Sequence, residues 1–362
     1  MKAVAALPGS AEAHLVDLPA PRAPEEGEVL VRTLRLGICG TDREILKSRQ
    51  PAVPVGEPFL VLGHECVGEV VAVGPGVTDL KRGQKVVPMV RRPNGTFRRS
   101  PDFLAMNQFV ERGILGAHGF SSPYWIDRPE HLVAVRPYLD AELAVLAEPL
   151  SVVMKALRQA VTLQLSRLPD NAWRAELPRV LVTGLGPLAF VALIGCIFHH
   201  WPTTVYGRDA PGSPRARLVE RLGGRYLCET EWPEWDDRRV EEHGFDMLLE
   251  CTGDCRVLLR CAEALASCGV AAWLGSSRSP EPILCNFPHL VRLAVIRNHL
   301  HFGSVNASLN DVCSALLVLE EWGKTFPREI HDVFTERVEL EQAPRLFTHR
   351  PAHSIKSLVV YA

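Results

Sequence analysis

Two short stretches of the sequence hold side chains that bind metals. The stretch LGICGTDREI, which begins at residue 36, supplies the thiol of Cys39, and VLGHECVGEV, which begins at residue 61, supplies His64 and Glu65. Together with Glu148 they offer the sulfur, nitrogen and oxygen donors of a catalytic zinc site, which keeps three protein ligands and one open position. A single Cys is also typical of a core, and a Gly-His-Glu run is typical of a turn, so spacing alone leaves both interpretations open.

Two neighbours of Cys39 suit proton chemistry. Asp42 is placed to accept the second ring N–H of His64 and so to fix the tautomer of that imidazole. The Thr41 hydroxyl both donates and accepts hydrogen bonds, so it is suited to passing a substrate proton outward.

A glycine-rich stretch predicts a dinucleotide site. In VTGLGPLAFVAL, Gly184 would make the tight turn after a strand, Gly186 would let the backbone approach a pyrophosphate, and Ala189 would allow close helix packing. Pro187 and Leu188 begin the following helix, whose N-terminal N–H groups favour phosphate. The motif alone is weak, but a strand before it, a helix after it and a second strand about 20 residues on strengthen it.

The second strand ends in VYGRDAP, and this ending predicts the cofactor. An NAD site usually places a carboxylate there to bind the ribose 2′-hydroxyl, whereas Gly207 leaves room and Arg208 supplies a cation for a 2′-phosphate. NADP is therefore expected, with NAD possible. The alternative is that Arg208 is a solvated charge and that Asp209 binds the ribose.

Patterning along the chain predicts an α/β protein with two domains. Residues 1 to about 150 are rich in short β-like runs between Gly and Pro, which indicates a mostly β domain. Runs such as RVLVTGLG, TTVYGR, FDMLLECTG and GVAAWLGSS then alternate with helix-length segments, as in a doubly wound parallel sheet. The final segment ends in the β-like SIKSLVVYA and is expected to rejoin the first domain.

Composition limits the function classes. The 362 residues include 40 Lys and Arg against 42 Asp and Glu, so no strong field favours nucleic acid or an anionic membrane, and a small molecule is the expected partner. The 10 cysteines are scattered, which fits a reducing cytoplasm. We find neither a signal peptide pattern nor an apolar run of membrane-spanning length.

Several motifs together resemble the zinc-dependent medium-chain alcohol dehydrogenase superfamily over essentially the whole chain. They are GICGTD, GHECVGEVVAVGPGV, GQKVV, AEPLSV and VTGLGPLA. Within the superfamily, VRRP, GILGAHGF, YGRDAP and FGSVNAS look most like the glucose dehydrogenase branch, whose members oxidise aldoses with NADP or NAD.

The resemblance implies a domain plan and a metal site. A GroES-like catalytic domain would span residues 1–150 and 303–362, a Rossmann domain would span 151–302, and the active site would lie in the cleft. Cys39 and His64 would be zinc ligands, Glu65 an exchangeable or supporting ligand, and Glu148 would complete or flank the site. The zinc would polarise the substrate oxygen while Thr41 relays the proton.

The resemblance also implies substrate and cofactor contacts. Glu111 falls where sugar-oxidising relatives place a carboxylate against substrate hydroxyls, although without that likeness a solvated loop carboxylate would be the preferred interpretation. Asn306 falls on a loop that approaches both nicotinamide and sugar, and Thr252 falls in a Thr-Gly turn near the cofactor. The expected substrate is a sugar, polyol or cyclitol, and the expected assembly is a homodimer or homotetramer.

The sequence departs from the family pattern at two places. Many relatives bind a structural zinc through four clustered cysteines, but residues 91–113 contain no cysteine, so this second zinc is predicted to be absent. An apolar cluster is expected in its place; its members would be Phe97, Phe103, Leu104 and Phe109. Val152 stands where some sugar-oxidising relatives have an acidic residue, so the substrate need not be glucose.

Two other functions fit parts of the sequence. A zinc-independent reductase of the same superfamily would not need Cys39, His64 and Glu148 together. A nucleotide-binding protein without turnover would need no ligand set at all.

Overall fold

The two ends of the chain fold mainly as strands, and the middle alternates strands with helices. The computed structural model describes residues 1–168, 173, 176–276 and 282–361. The chain divides into one unit of residues 1–151 with 306–362 and a second unit of residues 152–305. The strands are β1 (Lys2–Ala6), β2 (Ala13–Asp17), β3 (Val29–Ile38), β4 (Leu60–Val61), β5 (Glu65–Val73), β6 (Lys85–Pro88), β7 (Arg91–Pro93), β8 (Phe109–Arg112), β9 (Gly116–Ala117), β10 (Tyr124–Asp127), β11 (Leu132–Ala134), β12 (Val180–Thr183), β13 (Thr203–Gly207), β14 (Arg225–Cys228), β15 (Phe245–Glu250), β16 (Leu265–Trp273), β17 (Leu300–Gly303), β18 (Phe334–Glu339) and β19 (Lys356–Val360).

The α-helices lie mostly in the second unit. They are α1 (Gly40–Ser48), α2 (Ala141–Ala144), α3 (Ala147–Arg167), α4 (Pro187–Phe198), α5 (Pro214–Arg221), α6 (Asp237–His243), α7 (Cys255–Ala262), α8 (Phe287–Ile296), α9 (Leu309–Thr325) and α10 (Ala343–Thr348). Short 3₁₀ turns are Pro101–Phe103, Pro129–His131, Glu229–Glu231, Glu329–Val333 and Leu340–Gln342. None of the helices in the described part of the chain has both the length and the hydrophobicity to cross a lipid bilayer.

The first unit is built around a mixed sheet with the order β11-β6-β5-β3-β19-β18, and β10 also pairs with β3. Strand β3 alternates buried and half-buried residues before becoming fully buried, as expected for a strand at the centre of a sheet. Strand β5 lies antiparallel on one side of β3 and β19 lies antiparallel on the other. The last strand of the chain is therefore adjacent to the stretch that carries Cys39.

The second unit is a parallel sheet with the order β14-β13-β12-β15-β16-β17. This is the doubly wound order in which the first strand of the unit lies at the centre and the chain reverses direction across the sheet. Strand β12 is buried at every residue because helices cover both faces of such a sheet. The predicted α/β class, a mostly β GroES-like part together with a Rossmann parallel sheet, is confirmed.

The cysteine-free segment of residues 91–113 forms a small sheet with the order β7-β8-β9. Phe109 is buried, with the Arg91 guanidinium 3.8 Å from its ring centroid, and Phe97 contacts His131. Phe103 is 67% exposed, so the predicted cluster of four apolar side chains is wrong at this residue. Phe109 instead packs against the Arg91 guanidinium, a cation–π contact.

Candidate active site

Cys39, His64 and Glu65 meet at one end of two neighbouring strands. Strand β3 ends one residue before Cys39, and β5 begins at Glu65, which lies opposite Gly37 in the antiparallel ladder. One donor atom from each of the three side chains lies within 4.8 Å of the other two. Because the ladder register fixes this arrangement, the backbone brings a thiol, an imidazole and a carboxylate together.

Asp42 holds both sides of this cluster in place. Its buried carboxylate accepts hydrogen bonds from the backbone N–H of Cys39 at 2.9 Å and of Gly63 at 3.2 Å. Its Oδ1 lies 3.5 Å from Nδ1 of His64, as expected for a group that orients this ring. Burial opposes ionisation, but the charge of His64 and these N–H donors hold the pKa of Asp42 below its ordinary value.

The side chains around Cys39 favour its thiolate. Burial opposes the charged form, yet the neighbouring His64 lowers the pKa of Cys39 to about 6. Burial likewise opposes the imidazolium, while Asp42 and Cys39 hold the pKa of His64 well above its ordinary value. The Thr41 hydroxyl lies 3.7 Å from the Cys39 sulfur, so the predicted proton relay residue is part of the same cluster.

Lys356 is a cluster neighbour that the sequence analysis missed. Its ammonium is fully buried, forms an ion pair with Glu65 and donates to the carbonyl of Ile38 at 3.2 Å. Gly37 leaves the space that the Lys356 side chain occupies, since a Cβ at residue 37 would lie 2.7 Å from Lys356 Cε and 2.8 Å from Val145 Cγ1. Burial lowers the pKa of Lys356 to about 8.

Glu111 and Asn306 form a second polar group in the same unit. Asn306 Nδ2 donates to Glu111 Oε1 at 3.0 Å, and Arg91 Nε donates to the same oxygen at 3.0 Å. Asn306 has a φ of 60°, in the left-handed region that Asn tolerates better than most residues. Glu111 is therefore held at a fixed position, which argues against a freely solvated loop carboxylate. Arg91, known from the sequence only as part of VRRP, anchors it.

Glu148 lies in the first turn of α3 and outside the donor cluster that the described residues form. Burial is the main reason why the pKa of Glu148 is raised to about 7, and the nearby negative groups of Cys39 and Glu111 add to it. A small cavity is lined by both Glu148 and Asn306. The structure thus places Glu148 beside Asn306 and near the charges of Cys39 and His64, so its predicted role at the metal stays a prediction.

The glycine-rich loop has the geometry of a dinucleotide turn. Strand β12 ends at Thr183, Gly184 follows with a φ of 92°, and Gly186 caps α4. A Cβ on Gly184 would approach Thr252 Cγ2 to 2.9 Å, which only glycine avoids. Pro187 occupies the first helical position and Leu188 the second, so the N-terminus of α4 offers its N–H groups to a ligand.

Glu250 is a positioning residue that the sequence analysis missed in the second unit. Its buried carboxylate accepts from Thr183 Oγ1 at 3.1 Å, from the N–H of Thr252 at 2.8 Å and from the N–H of Gly253 at 3.0 Å. These bonds tie together the ends of β12 and β15 and hold the predicted Thr-Gly turn. The sequence offered a signal, because Glu250 ends an apolar strand run and lies two residues before Thr252.

The end of β13 carries one exposed cation and one paired carboxylate. Gly207 is buried, with Leu185 Cδ1 only 2.8 Å from where a Cβ would lie, and Arg208 is exposed. Asp209 forms a bidentate ion pair with Arg215, with nitrogen-to-oxygen distances of 2.6 and 2.8 Å. The carboxylate that the alternative interpretation assigned to the ribose is therefore engaged by a guanidinium.

Comparison with known proteins gives matches across the chain. Residues 141–361 match the family model described as glucose dehydrogenase C-terminus, and residues 25–136 match the alcohol dehydrogenase GroES-like domain. Glucose 1-dehydrogenase of Thermoproteus tenax is 36% identical over 355 residues, covering 96% of this chain and 97% of the relative. Glucose 1-dehydrogenase 1 of Haloterrigena turkmenica is 36% identical over 358 residues, covering 96% and 94%.

Solved structures also match the fold over the whole chain. Haloferax mediterranei glucose dehydrogenase in complex with NADP, Zn and gluconolactone superposes with a TM-score of 0.86 at 31% identity, over 100% of this chain and 99% of the other. Bacillus subtilis 2R,3R-butanediol dehydrogenase, at 21% identity and a TM-score of 0.78, shares the fold over 100% and 99% of the two chains.

Proposed function

The chain belongs to the glucose dehydrogenase family of the zinc-dependent medium-chain alcohol dehydrogenases, and we propose that it oxidises a sugar or a similar polyhydroxy compound with NADP⁺. The observation that carries the proposal is the cluster of Cys39, His64 and Glu65 in the unit that also holds Glu111 and Asn306. Relatives of this chain are glucose 1-dehydrogenases, and a similar structure contains NADP, zinc and gluconolactone.

The donor set suits zinc. A thiolate, an imidazole and a carboxylate are zinc ligands, and the lowered pKa of Cys39, opposed by burial but favoured by His64, supplies the ligand form of the thiol. Cys39 and His64 would hold the ion, and Glu65, restrained by Lys356, would be the third donor. When bound, zinc supplies Lewis acidity that lowers the pKa of the substrate hydroxyl, and the nicotinamide accepts hydride.

Residues next to the cluster would transfer the proton of the substrate hydroxyl and hold the cluster in position. The Thr41 hydroxyl, 3.7 Å from the Cys39 sulfur, both accepts and donates, so it can take the proton of the substrate hydroxyl and pass it on. Asp42 would hold the His64 ring and the start of α1 through its two backbone hydrogen bonds.

The pair of Glu111 and Asn306 would bind the substrate hydroxyls. Arg91 and Asn306 both contact Oε1 of Glu111, which leaves the other carboxylate oxygen for a hydroxyl donor. Charge-assisted hydrogen bonds of this kind are worth about 1.5–3 kcal/mol, so they can select a polyol over a simple alcohol. Glu148, in the first turn of α3 and beside the same cavity, would add a polar contact.

The second unit would hold the cofactor. Gly184, Gly186, Pro187 and Leu188 would cradle the pyrophosphate at the start of α4, and Thr252 would border the cofactor from the next strand end. Arg208, exposed after the side-chain-free Gly207, would bind the 2′-phosphate of NADP. NAD would bind less tightly because it lacks that phosphate.

A substrate panel tests this function. We expect NADP⁺ reduction with aldoses, polyols or cyclitols in the presence of zinc, and much less with simple primary alcohols. A zinc-independent reductase would instead reduce an activated alkene or quinone with NADPH after metal removal, and a binding protein would take up NADP⁺ and turn over nothing. The donor cluster disfavours both alternatives, since neither needs it.

We also propose that the chain is a homo-oligomer. Phe287, Val291 and Val295 lie four residues apart on α8, so they share one helix face, and they are 59%, 44% and 70% exposed. The next strand along the chain, β17, is the edge strand of the parallel sheet. An exposed apolar stripe and an edge strand each favour association. Sedimentation velocity should find a dimer or tetramer, and a monomer at all micromolar concentrations would contradict this.

A further inference from the structure

The chain carries two opposite charges at the position that chooses between NADP and NAD. Arg208 suits a 2′-phosphate, whereas Asp209, directly after it, suits a 2′-hydroxyl. A free carboxylate beside a 2′-phosphate, which carries roughly two negative charges near neutral pH, would repel it. Discrimination between the cofactors therefore depends on what restrains Asp209.

Arg215 holds the Asp209 carboxylate by both oxygens. Nη2 of Arg215 lies 2.6 Å from Oδ1, and Nε lies 2.8 Å from Oδ2, which is the fork geometry that makes an arginine-carboxylate pair strong and directional. The two side chains are 17% and 12% exposed, so water screens the pair only in part.

The surrounding backbone fixes the pair in place. The Tyr226 hydroxyl donates a hydrogen bond to the backbone carbonyl of Asp209 at 2.6 Å. Both the backbone and the side chain of Asp209 are therefore held. Arg215 Nη1 also lies 3.4 Å from the carbonyl of Leu185, a residue of the glycine-rich loop. The carboxylate is thus turned toward α5 and anchored beside the loop that would receive the pyrophosphate.

We propose that Arg215 is a specificity-determining residue that makes the chain prefer NADP by neutralising and withholding Asp209. The inference rests on the proposed function, because it assumes that the ribose of the cofactor binds at the end of β13. Arg208 then acts alone on the 2′-phosphate. Loss of Arg215 removes the guanidinium that engages both Asp209 oxygens, so the carboxylate can turn toward the ribose, accept the 2′-hydroxyl of NAD and repel the phosphate of NADP.

Cofactor binding tests this without turnover. The dissociation constants of NADPH and NADH are measured by fluorescence titration of the zinc-loaded chain, for the wild type and for R215M, D209N and R215M/D209N. We expect R215M to lower the preference for NADPH over NADH by about tenfold or more, since a carboxylate that Arg215 no longer engages, a few ångströms from the phosphate, changes binding by at least about 1.4 kcal/mol. The double variant should regain the preference to within about threefold, because the repelling carboxylate is gone.

Two results overturn the inference. One is an R215M variant in which both dissociation constants change by the same factor, which is what a purely structural role of Arg215 would give. The other is a D209N variant that loses the NADPH preference tenfold, whereas we expect D209N to keep or increase that preference. This variant is informative even if R215M does not fold. Failure of the proposed function looks different, because the zinc-loaded wild type would then oxidise no polyhydroxy compound, whatever its dissociation constants for the two dinucleotides.

Discussion

Removal of the Lys356 ammonium should destabilise the first unit strongly. Lys356 is fully buried and pairs with Glu65, whose side chain is 2% exposed, so K356M leaves a carboxylate buried without its cation. Breaking a buried pair in this way costs about 3–5 kcal/mol. For a unit of this size that corresponds to a fall in Tm of about 6–20 °C.

The double variant E65M/K356M makes this prediction specific. Replacing both partners by apolar side chains of similar volume is often neutral or stabilising, so the double variant should recover most of the loss. The assay is urea unfolding of the chelator-treated chain, followed by circular dichroism, with K81M at an exposed lysine as the control. A loss below about 1 kcal/mol in K356M, or a double variant no more stable than K356M, would refute the reasoning.

Three further predictions concern other side chains of the first unit. C39S should lose most of its bound zinc by elemental analysis, whereas C313S, at an exposed cysteine, should keep it; equal zinc contents would contradict the ligand role. E111Q should lower kcat/KM for the sugar by about 10–100-fold with unchanged NADP⁺ binding, because it removes a charge-assisted hydrogen bond, while exposed E130Q should have no effect. D127N should lower the free energy of unfolding by about 3 kcal/mol near pH 7, because Asp127 pairs with buried Arg92. Burial opposes ionisation of Asp127, but Arg92 holds the pKa of this carboxyl below its ordinary value. The stability that the carboxylate contributes is therefore complete above the ordinary pKa and is lost as the pH falls through the lowered pKa of the folded chain. The loss of stability in D127N should accordingly shrink only in strong acid. An unchanged deficit in strong acid would count against the pair.

The sequence predicts the fold and the donor cluster well because both follow from local patterns. Cys39 directly follows β3, and Gly63 and His64 directly precede β5, which begins at Glu65 and pairs antiparallel with β3, so the pairing brings them together. The parallel sheet follows from apolar runs that alternate with helices, and its observed order is the doubly wound one.

Residues whose contacts depend on turns or on tertiary packing could not be predicted in this way. In the sequence Lys356 looks like an ordinary polar residue of a strand. Its burial depends on Gly37, more than 300 residues earlier in another strand, having no side chain. Arg215 looks like a surface charge on a short helix, and its ion pair depends on the turn that brings Asp209, six residues earlier, to it. For Phe103 the prediction failed in the opposite direction, because apolar character alone did not show that this residue, in a 3₁₀ turn, would be exposed.

Zinc removal and restoration tests the central claim most directly. NADP⁺ reduction with D-glucose and with the best substrate of the panel is measured alongside bound zinc, first as purified, then after chelation, then after zinc is added back. We predict that turnover falls with the zinc content, returns when zinc returns, and depends on zinc bound through Cys39. Unchanged turnover in zinc-free protein, or no turnover of any polyhydroxy compound by zinc-loaded protein that binds NADP⁺, would contradict the assignment of this chain as a zinc-dependent sugar dehydrogenase.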